Sequence, residues 1–394
     1  MHTLLKSQAC DPLANQVFAE PQSSSIQMKK GLSPHLRKKL LYMHISSFDW
    51  QHGGLKTPIK FLDRDSIEFS LCQSASHDKN EERMARLSLN RGMELLDLKD
   101  GGIYQFATQN GWSDCHYSKT IAAQAGSLRL YSLAFALFRE HDYLKTTRHI
   151  CDFLRSRSLT EEGCFRSMSG ANIIELENSQ IRSRDNGWVC EALASCYEFT
   201  SELSALEMAK VAMNWLERNR RNDTGGFNSF NKPTANRQMS DTLAVARAAL
   251  QLYRVTAEHR YLSLAEESAD YIVGNFHHEL GGFESGISTS AQNRDTRQID
   301  ENICLSRFLN LLHHYTERQD YLTMARHGLS YLATPAIATS RIEEAGILLL
   351  DEELNSSPVK ITILANCGDR KARKLADNAL RCFGWYKVIH QQSH

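Results

Sequence analysis

Gly225-Gly226-Phe227 and Gly281-Gly282-Phe283 are two copies of a corner that recurs along this chain. The earlier copies are Gly53-Gly54-Leu55, Gly101-Gly102-Ile103 and Gly163-Cys164-Phe165, which places successive corners 48, 62, 62 and 56 residues apart. Each corner follows a helical pattern, and glycine readily takes the left-handed conformation that ends a helix. Five corners at a nearly constant interval predict a repeat of one supersecondary unit.

The intervals between corners carry the pattern of two different helices. Residues 239–256 are apolar almost all round, which predicts a buried helix, whereas 261–276 have one apolar and one charged face. The same alternation occurs at 117–138 with 142–157, 187–200 with 203–219, and 302–316 with 320–333. Two further pairs, at 64–75 with 80–98 and at 341–353 with 34–47, would complete a circle of six. The alternation predicts an inner and an outer ring of helices, an all-α (α/α)6 toroid.

The two ends of the chain depart from this repeat. Residues 1–33 are polar and predict a leader without a core of its own, ahead of a barrel at 34–355. Residues 356–394 predict a small βαβ-like appendage packed on the barrel, with strands at 359–364 and 385–389 around a helix at 369–382.

Composition narrows the classes of partner. Lys plus Arg and Asp plus Glu both total 46, so no net charge favours nucleic acid or a membrane surface. The 10 cysteines are scattered without a C-x-x-C or zinc spacing, so we expect no metal, no cofactor and a reducing compartment. Without a signal-peptide pattern or an apolar run of about 18 residues, we expect a cytoplasmic protein with no membrane segment. The oligomeric state stays open.

Candidate functional residues lie in the loops that open the inner helices, which converge on one mouth of the predicted ring. Asp241, Asp300, Glu301 and His116 are the candidates for acid–base catalysis. The candidates for substrate binding are Lys60, Tyr104, Trp112, Lys119, Asp185, Asn186 and Trp188. Taken singly, the aspartates stand where helix N-caps are expected, His116 suits a hydrogen-bonded wall, and the tryptophans suit packing. Their convergence on one concave rim favours a ligand site.

One stretch resembles a known family. The run Asp100-Gly101-Gly102-Ile103-Tyr104-Gln105-Phe106-Ala107-Thr108, followed by Trp112 and His116-Tyr117-Ser118-Lys119, resembles the thioredoxin-domain-containing proteins related to spermatogenesis-associated protein. Similar short matches are Phe48-Asp49, His52-Gly53-Gly54, Lys60-Phe61, Asp185-Asn186-Gly187-Trp188 and Ser240-Asp241-Thr242-Leu243. The resemblance covers roughly residues 40–390 and implies a six-hairpin, glycosidase-like barrel.

Departures from that family bear on activity. The family's thioredoxin-like domain and its C-x-x-C are absent here, so disulfide exchange is not implied. Cys115 and Ser118 replace a proline and a glutamate of the family pattern, and Gly170-Ala171-Asn172 stands where the family has Asp-Ala-Asp. Each general acid or base typically contributes about 10²–10⁴-fold to a rate, so losing several should cripple catalysis.

Two hypotheses of function follow. The missing carboxylates favour a non-catalytic barrel that binds a small ligand, carbohydrate among the candidates, or a protein partner. The alternative is a carbohydrate-active enzyme, a glycoside hydrolase or a sugar epimerase, with Asp241 or Asp300 and Glu301 as acid or base. His116 would assist there, and Trp112 and Trp188 would stack on the sugar. Whether the protein is an enzyme is left open by the sequence.

Overall fold

The computed structural model describes residues 31–108, 111–166, 181–230, 237–287, 297–365 and 370–393. The predicted leader up to residue 30 and Gly170-Ala171-Asn172 lie outside these ranges. The helices are α1 Pro34–Ser47, α2 Arg64–Ala75, α3 Lys79–Gly92, α4 Ile121–Phe138, α5 His141–Phe153, α6 Ser183–Thr200, α7 Leu203–Asn219, α8 Met239–Thr256, α9 His259–Phe276, α10 Ile299–Thr316, α11 Gln319–Leu332, α12 Pro335–Ala338, α13 Ala345–Asn355 and α14 Arg370–Arg381. The strands are β1 Phe106–Ala107, β2 Cys115–His116, β3 Arg237–Gln238, β4 Gly286–Ile287, β5 Val359–Ala365 and β6 Lys387–Ser393.

Six helices form a closed inner ring. In ring order they are α2, α4, α6, α8, α10 and α13, each packed on the next, and α13 returns to α2. The outer partners α3, α5, α7, α9 and α11 each follow their inner helix along the chain, while α1 packs on α13 as the sixth pair. The predicted all-α (α/α)6 toroid is confirmed.

The sequence pattern predicted that the corner glycines end the helices, and this prediction is wrong. The outer helix α7 ends at Asn219, whereas its corner comes at Gly225, where φ is +91°. Between them Arg221 bridges to Phe227, so a tight turn separates the helix from the corner. A Cβ at Gly226 would lie 2.4 Å from the Tyr271 ring, so glycine is required there by close approach to the neighbouring hairpin.

Left-handed residues instead end four of the inner helices. These C-caps have φ between 58° and 64°, and each donates its backbone N–H to a carbonyl of the last turn: Arg139, Ser201, Ala257 and Glu317. The left-handed cap reverses the chain immediately, which explains why inner and outer helices of a pair are joined by such short turns.

A polar clamp fixes each of four corners to the start of the next inner helix. The Asn186 side chain accepts from the Phe165 N–H (2.7 Å) and donates to the Phe165 carbonyl (2.9 Å). The fourth residue of each of these inner helices accepts the backbone N–H of its corner: Gln124 from Ile103, Asn186 from Phe165, Thr242 from Phe227 and Asn302 from Phe283. Gln124 and Asn302 also donate to the carbonyl of the same corner residue, as Asn186 does. Because these backbone groups are buried, leaving them unpaired would cost about 1–3 kcal/mol each.

The C-terminal appendage closes one end of the ring. Strands β5 and β6 pair in parallel, and β6 and α14 lie against the C-terminal parts of α6, α8 and α10. Lys387 is 1% exposed and its Nζ donates to the carbonyls of Leu380 (2.6 Å) and Cys382 (2.8 Å). Asn310 donates to the Tyr386 hydroxyl oxygen at 2.8 Å. The opposite end, where the inner helices begin, is therefore the mouth.

Among the residues with described structure, α4 alone is long and apolar enough by composition to cross a membrane, with a mean hydropathy of 1.3. This finding corrects the expectation that no segment of the chain would pass that test. The helix belongs to the inner ring and is 61% buried there, a pattern typical of core helices. Its Arg129 donates to both carboxylate oxygens of Glu68.

Candidate functional site

The predicted site residues fall into two groups at the mouth. Lys60, Tyr104, Trp112, His116 and Lys119 belong to the loops that precede α2 and α4. The second group lies in the first turns of α6, α8 and α10 and comprises Asp185, Asn186, Trp188, Asp241, Asp300 and Glu301. Since these helices are neighbours in the inner ring, the second group, apart from the fully buried Asn186, lies along one side of the mouth.

Tyr104 and Lys119 hold a corner carboxylate. The Lys119 Nζ lies 2.6 Å from Asp97 Oδ2, and the Tyr104 hydroxyl donates to the same oxygen at 2.8 Å. Partial burial alone would raise the pKa of Asp97, but the bonds from Lys119, the corner N–H groups and Tyr104 hold it well below its usual range. Burial and the Asp97 charge raise the pKa of Tyr104. Both predicted binding residues therefore contact the protein itself.

Lys60 and Trp112 repeat this arrangement at the first corner. Lys60 is 1% exposed, and its Nζ binds Asp49 Oδ2 and the Leu55 carbonyl, both at 2.7 Å. Trp112 is 3% exposed and donates its indole N–H to the His52 carbonyl at 2.8 Å. A buried lysine and a buried indole with satisfied donors stabilise the loop and have little surface left for a sugar.

His116 lies on the exposed side of the β1–β2 hairpin. Its ring stacks on Phe106, with centroids 4.6 Å apart and an interplanar angle of 14°. Strand β1 in turn bridges to Lys60 through Ala107, which ties the hairpin to the first loop. The imidazole is thus accessible to solvent.

Asp241 connects two neighbouring inner helices. It is the third residue of α8 and only 4% exposed, and its Oδ1 accepts the backbone N–H of Arg184 in α6 at 3.0 Å. Its Oδ2 accepts the Ser229 hydroxyl. Burial raises the pKa of Asp241, and the bonds from Ser229 and Arg184 offset this only in part. The carboxylate therefore caps the helix beside its own, which differs from the predicted cap of α8.

Glu301 occupies the same third position in α10 but keeps one oxygen unpaired. Its Oε2 is buried without a hydrogen-bond partner. Burial raises the pKa of Glu301, against the lowering effects of Ser285, the Arg184 charge and Ser240. A buried carboxyl with a raised pKa and a free oxygen is a candidate for proton transfer.

The remaining residues of this group lie in the first turns of α6 and α10. Asp300 binds Arg341, with Nη1 2.6 Å from Oδ1. Asp185 is 6% exposed and lies 3.5 Å from the Nε of Arg184. The Arg184 guanidinium carbon lies 4.7 Å from the centre of the Trp188 ring, which is half-buried. Asn186 is the fully buried clamp on Phe165 and takes no part in this surface.

A belt of charges inside the barrel was not predicted from the sequence. The ninth residue of five inner helices is charged: Arg129, Glu191, Arg247, Arg307 and Glu353. Arg307 donates to Glu353 at 2.7 Å and to Glu68 at 2.8 Å, and Arg247 donates to Glu191 at 2.7 Å. The attraction of Arg129 and Arg307 outweighs the cost of burial and holds the pKa of Glu68 well below its usual range.

A cavity of about 90 Å³ lies along this belt, toward the appendage. Two further charged residues line it, Glu198 and Arg254, each seven positions after a charge of the belt on the same helix. Trp385 and Tyr386 of the appendage line it as well. The signal for these residues was present in the sequence, since Arg247 and Arg254 interrupt a helix that is otherwise apolar all round. Charges spaced by seven on such a helix share a face, and that face has to meet a polar interior.

Within the described ranges, no group of three or more His, Cys, Asp or Glu side chains is placed to hold a metal ion.

Comparisons with known proteins identify the fold. No protein-family model matches the chain, and no curated protein matches its sequence. Cellobiose 2-epimerase from Bacillus thermoamylovorans B4167 is similar in structure, with a TM-score of 0.63, 12% identity and coverage of 76% of this chain and 86% of that one. A sugar epimerase from a ruminal bacterium has a TM-score of 0.64 and 13% identity, and the match covers 76% of this chain and 86% of that one. A family 76 α-mannanase from Bacteroides thetaiotaomicron has a TM-score of 0.51 and 14% identity, and the match covers 68% of this chain and 70% of that one.

These structures are carbohydrate-active enzymes with the six-hairpin, glycosidase-like architecture. At such low identity the likeness establishes the architecture alone. The chain has the (α/α)6 toroid fold of the six-hairpin glycosidase-like proteins.

Proposed function

We propose that this protein binds a small carbohydrate at the mouth of the barrel and that Glu301 contacts it. The observation that carries the proposal is the buried Oε2 of Glu301, which has no hydrogen-bond partner in a surface where the neighbouring carboxylates are engaged. Sugar hydroxyl groups are hydrogen-bond donors of the kind this oxygen lacks. Trp188, half-buried beside Arg184, offers an apolar ring at the same surface.

The arrangement argues against a two-carboxylate glycoside hydrolase. Such enzymes need an acid and a second carboxylate free to face the scissile bond. One oxygen of Asp241 accepts the Arg184 N–H and the other accepts the Ser229 hydroxyl, and Asp300 is bound to Arg341. Asp185, the other carboxylate of this group, is buried and lies 3.5 Å from the Arg184 Nε. With all three aspartates engaged, Glu301 favours binding without hydrolysis.

A sugar epimerase or isomerase is the second candidate. Moving a proton at one carbon of a sugar needs a group whose pKa lies near the working pH. Burial raises the pKa of Glu301 in that direction. In this candidate Glu301 is the acid–base group, and exposed His116 could assist only if a sugar spanned the mouth from α10 to the β1–β2 hairpin.

Kinship with the thioredoxin-domain-containing family is part of the proposal. It rests on the Asp100–Thr108 run and on the conserved order of the later short matches. Tyr104 of that run and Lys119 of the His116–Lys119 match hold structure, since both bind Asp97. A cytoplasmic location is proposed with it, from the scattered free cysteines.

The test is a thermal-shift screen of the full chain against monosaccharides and disaccharides. A sugar that binds at the mouth should raise the melting temperature of the wild type and of Glu207→Gln, a change on the exposed face of α7. The same sugar should have much less effect on Glu301→Gln. Hits are then incubated with the protein and analysed by chromatography. Release of monosaccharide from a disaccharide would contradict the proposal, and a change of configuration would select the epimerase.

A further inference from the structure

Two arginines of the interior cavity have more donors than the protein uses. A guanidinium group carries five N–H donors. Arg254 is 7% exposed; its Nε donates to the Tyr315 hydroxyl at 3.3 Å, and its Nη1 lies 3.7 Å from Glu198, too far for a hydrogen bond. Arg247 donates one hydrogen bond in the described structure, from Nη2 to Glu191. The remaining N–H groups of both arginines lack protein partners there.

The charges around this cavity do not cancel. Four arginines and three glutamates line it: Arg129, Arg247, Arg254 and Arg307 against Glu191, Glu198 and Glu353. The next charged residues outward are Glu68, which binds Arg129 and Arg307, and Lys387, which binds Glu198. The negative charge of Glu68 and the positive charge of Lys387 cancel each other. One positive charge is therefore left without a counter-charge, and burying such a charge destabilises the folded chain.

The carboxylates that face the cavity already have partners. Glu191 binds Arg247, and Glu353 binds Arg307. Glu198 accepts from Gln251 at 2.6 Å and lies 3.0 Å from the Lys387 Nζ. The unmatched charge therefore belongs to Arg254, whose nearest carboxylate is shared with a lysine.

We propose that the cavity binds a small oxyanion, a carboxylate or a phosphate, between Arg254 and Arg247. Both arginines lie on α8 one heptad apart, and a guanidinium binds the two oxygens of such an anion with parallel N–H bonds. The cavity of about 90 Å³ has room for several waters or one small anion, and is smaller than the pockets that hold drug-sized ligands. The site lies deeper than the mouth and does not depend on carbohydrate binding there.

The test compares the full chain in sodium phosphate, sodium acetate and sodium chloride at equal ionic strength. Phosphate or acetate should raise the melting temperature of the wild type above its value in chloride by about 3 °C, as expected for a ligand well above its Kd. Arg254→Met and Arg247→Met should lose that rise. Arg218→Met, which removes an exposed arginine from α7, should keep it.

An equal rise in Arg254→Met and in the wild type would overturn the proposal, because it would show a general salt effect. Line broadening of the ³¹P signal of phosphate, or of the ¹³C signal of acetate, by the wild-type protein is a second readout that needs no variant. Absence of broadening for both anions, together with no rise in melting temperature, would also overturn the proposal. If only one anion acts, it identifies which oxyanion class the cavity takes.

Discussion

Asp241 and Arg184 join two inner helices through one hydrogen bond, in which the α8 carboxylate accepts the first-turn N–H of α6 at 3.0 Å. The first N–H groups of a helix have no partner within it, and a carboxylate is a strong cap for them. Here the cap comes from the neighbouring hairpin, so the bond also fixes the spacing of two hairpins at the mouth. Glu301, the carboxylate at the same position of α10, instead keeps its buried Oε2 unpaired.

Asp241→Ala should therefore lower the free energy of unfolding by about 1–3 kcal/mol, the cost of losing a cap and leaving buried donors unpaired. Asp241→Asn keeps an oxygen for Arg184 and should cost less than half as much. Urea denaturation followed by circular dichroism measures both. Equal losses for the two variants would mean that the charge of Asp241, and not the cap, stabilises the mouth.

His44 makes stability depend on pH in the alkaline range. It is 1% exposed, with Nε2 3.2 Å from Glu81 and Nδ1 3.7 Å from Glu343. Burial lowers the pKa of His44, but the attraction of the Glu343 and Glu81 carboxylates outweighs it and raises the pKa to about 9. The folded chain thus binds this proton more tightly than the unfolded chain, whose histidine has a pKa near 6.5.

The stabilisation from His44 is complete below about pH 6.5 and is lost as the pH rises through about 9. Its size is on the order of 3 kcal/mol. Urea midpoints of the wild type should fall between pH 6 and pH 9.5, and His44→Gln should fall much less over the same interval. Parallel pH curves for the two proteins would contradict the assignment.

Arg307 should be the most sensitive position of the charged belt. Arg307→Met leaves the buried carboxylates of Glu68 and Glu353 with fewer partners, and breaking a buried ion pair costs about 3–5 kcal/mol. Adding Glu353→Gln to Arg307→Met should recover part of that loss. A double-mutant cycle in urea measures the coupling, and strictly additive losses would show that the two side chains do not interact.

Substitutions of Lys119 and Tyr104 test whether these two residues stabilise the corner loop or bind a ligand. Lys119→Met should lower the melting temperature more than Tyr104→Phe, since it removes the charge that pairs with Asp97, whereas Tyr104→Phe removes one neutral donor. Neither variant should change the affinity for a sugar found by the screen. A large loss of sugar affinity with unchanged stability would show that Lys119 and Tyr104 contact the sugar.

The ring could be predicted because it depends on local patterns. The contrast between α8, apolar all round, and α9, apolar on one face, is visible in the residues themselves. The pairing of α13 with α1 lies outside the repeated corners and followed only from completing a circle of six. The end of each helix was harder to predict, because the left-handed caps such as Ala257 are not glycines. Their conformation is set by the packing of the hairpin.

The site was less predictable because its contacts join distant segments. Trp112 is buried and donates to the His52 carbonyl, and the charge of Lys60 is paired with that of Asp49. Neither contact follows from the type of residue alone. Glu301 and Asp241 occupy the same position of their helices, yet both Asp241 oxygens have partners whereas Oε2 of Glu301 has none. Such differences appear only when the ring is assembled.

Hydrogen–deuterium exchange with and without a sugar from the screen locates the ligand directly. Binding at the mouth should slow exchange in the segment around Ser285 and in the first turns of α8 and α10, which surround Glu301. The Glu301→Gln protein should show no such protection at the same sugar concentration. Protection confined to the outer helices, or to the appendage formed by β5, α14 and β6, would contradict a carbohydrate site at the mouth.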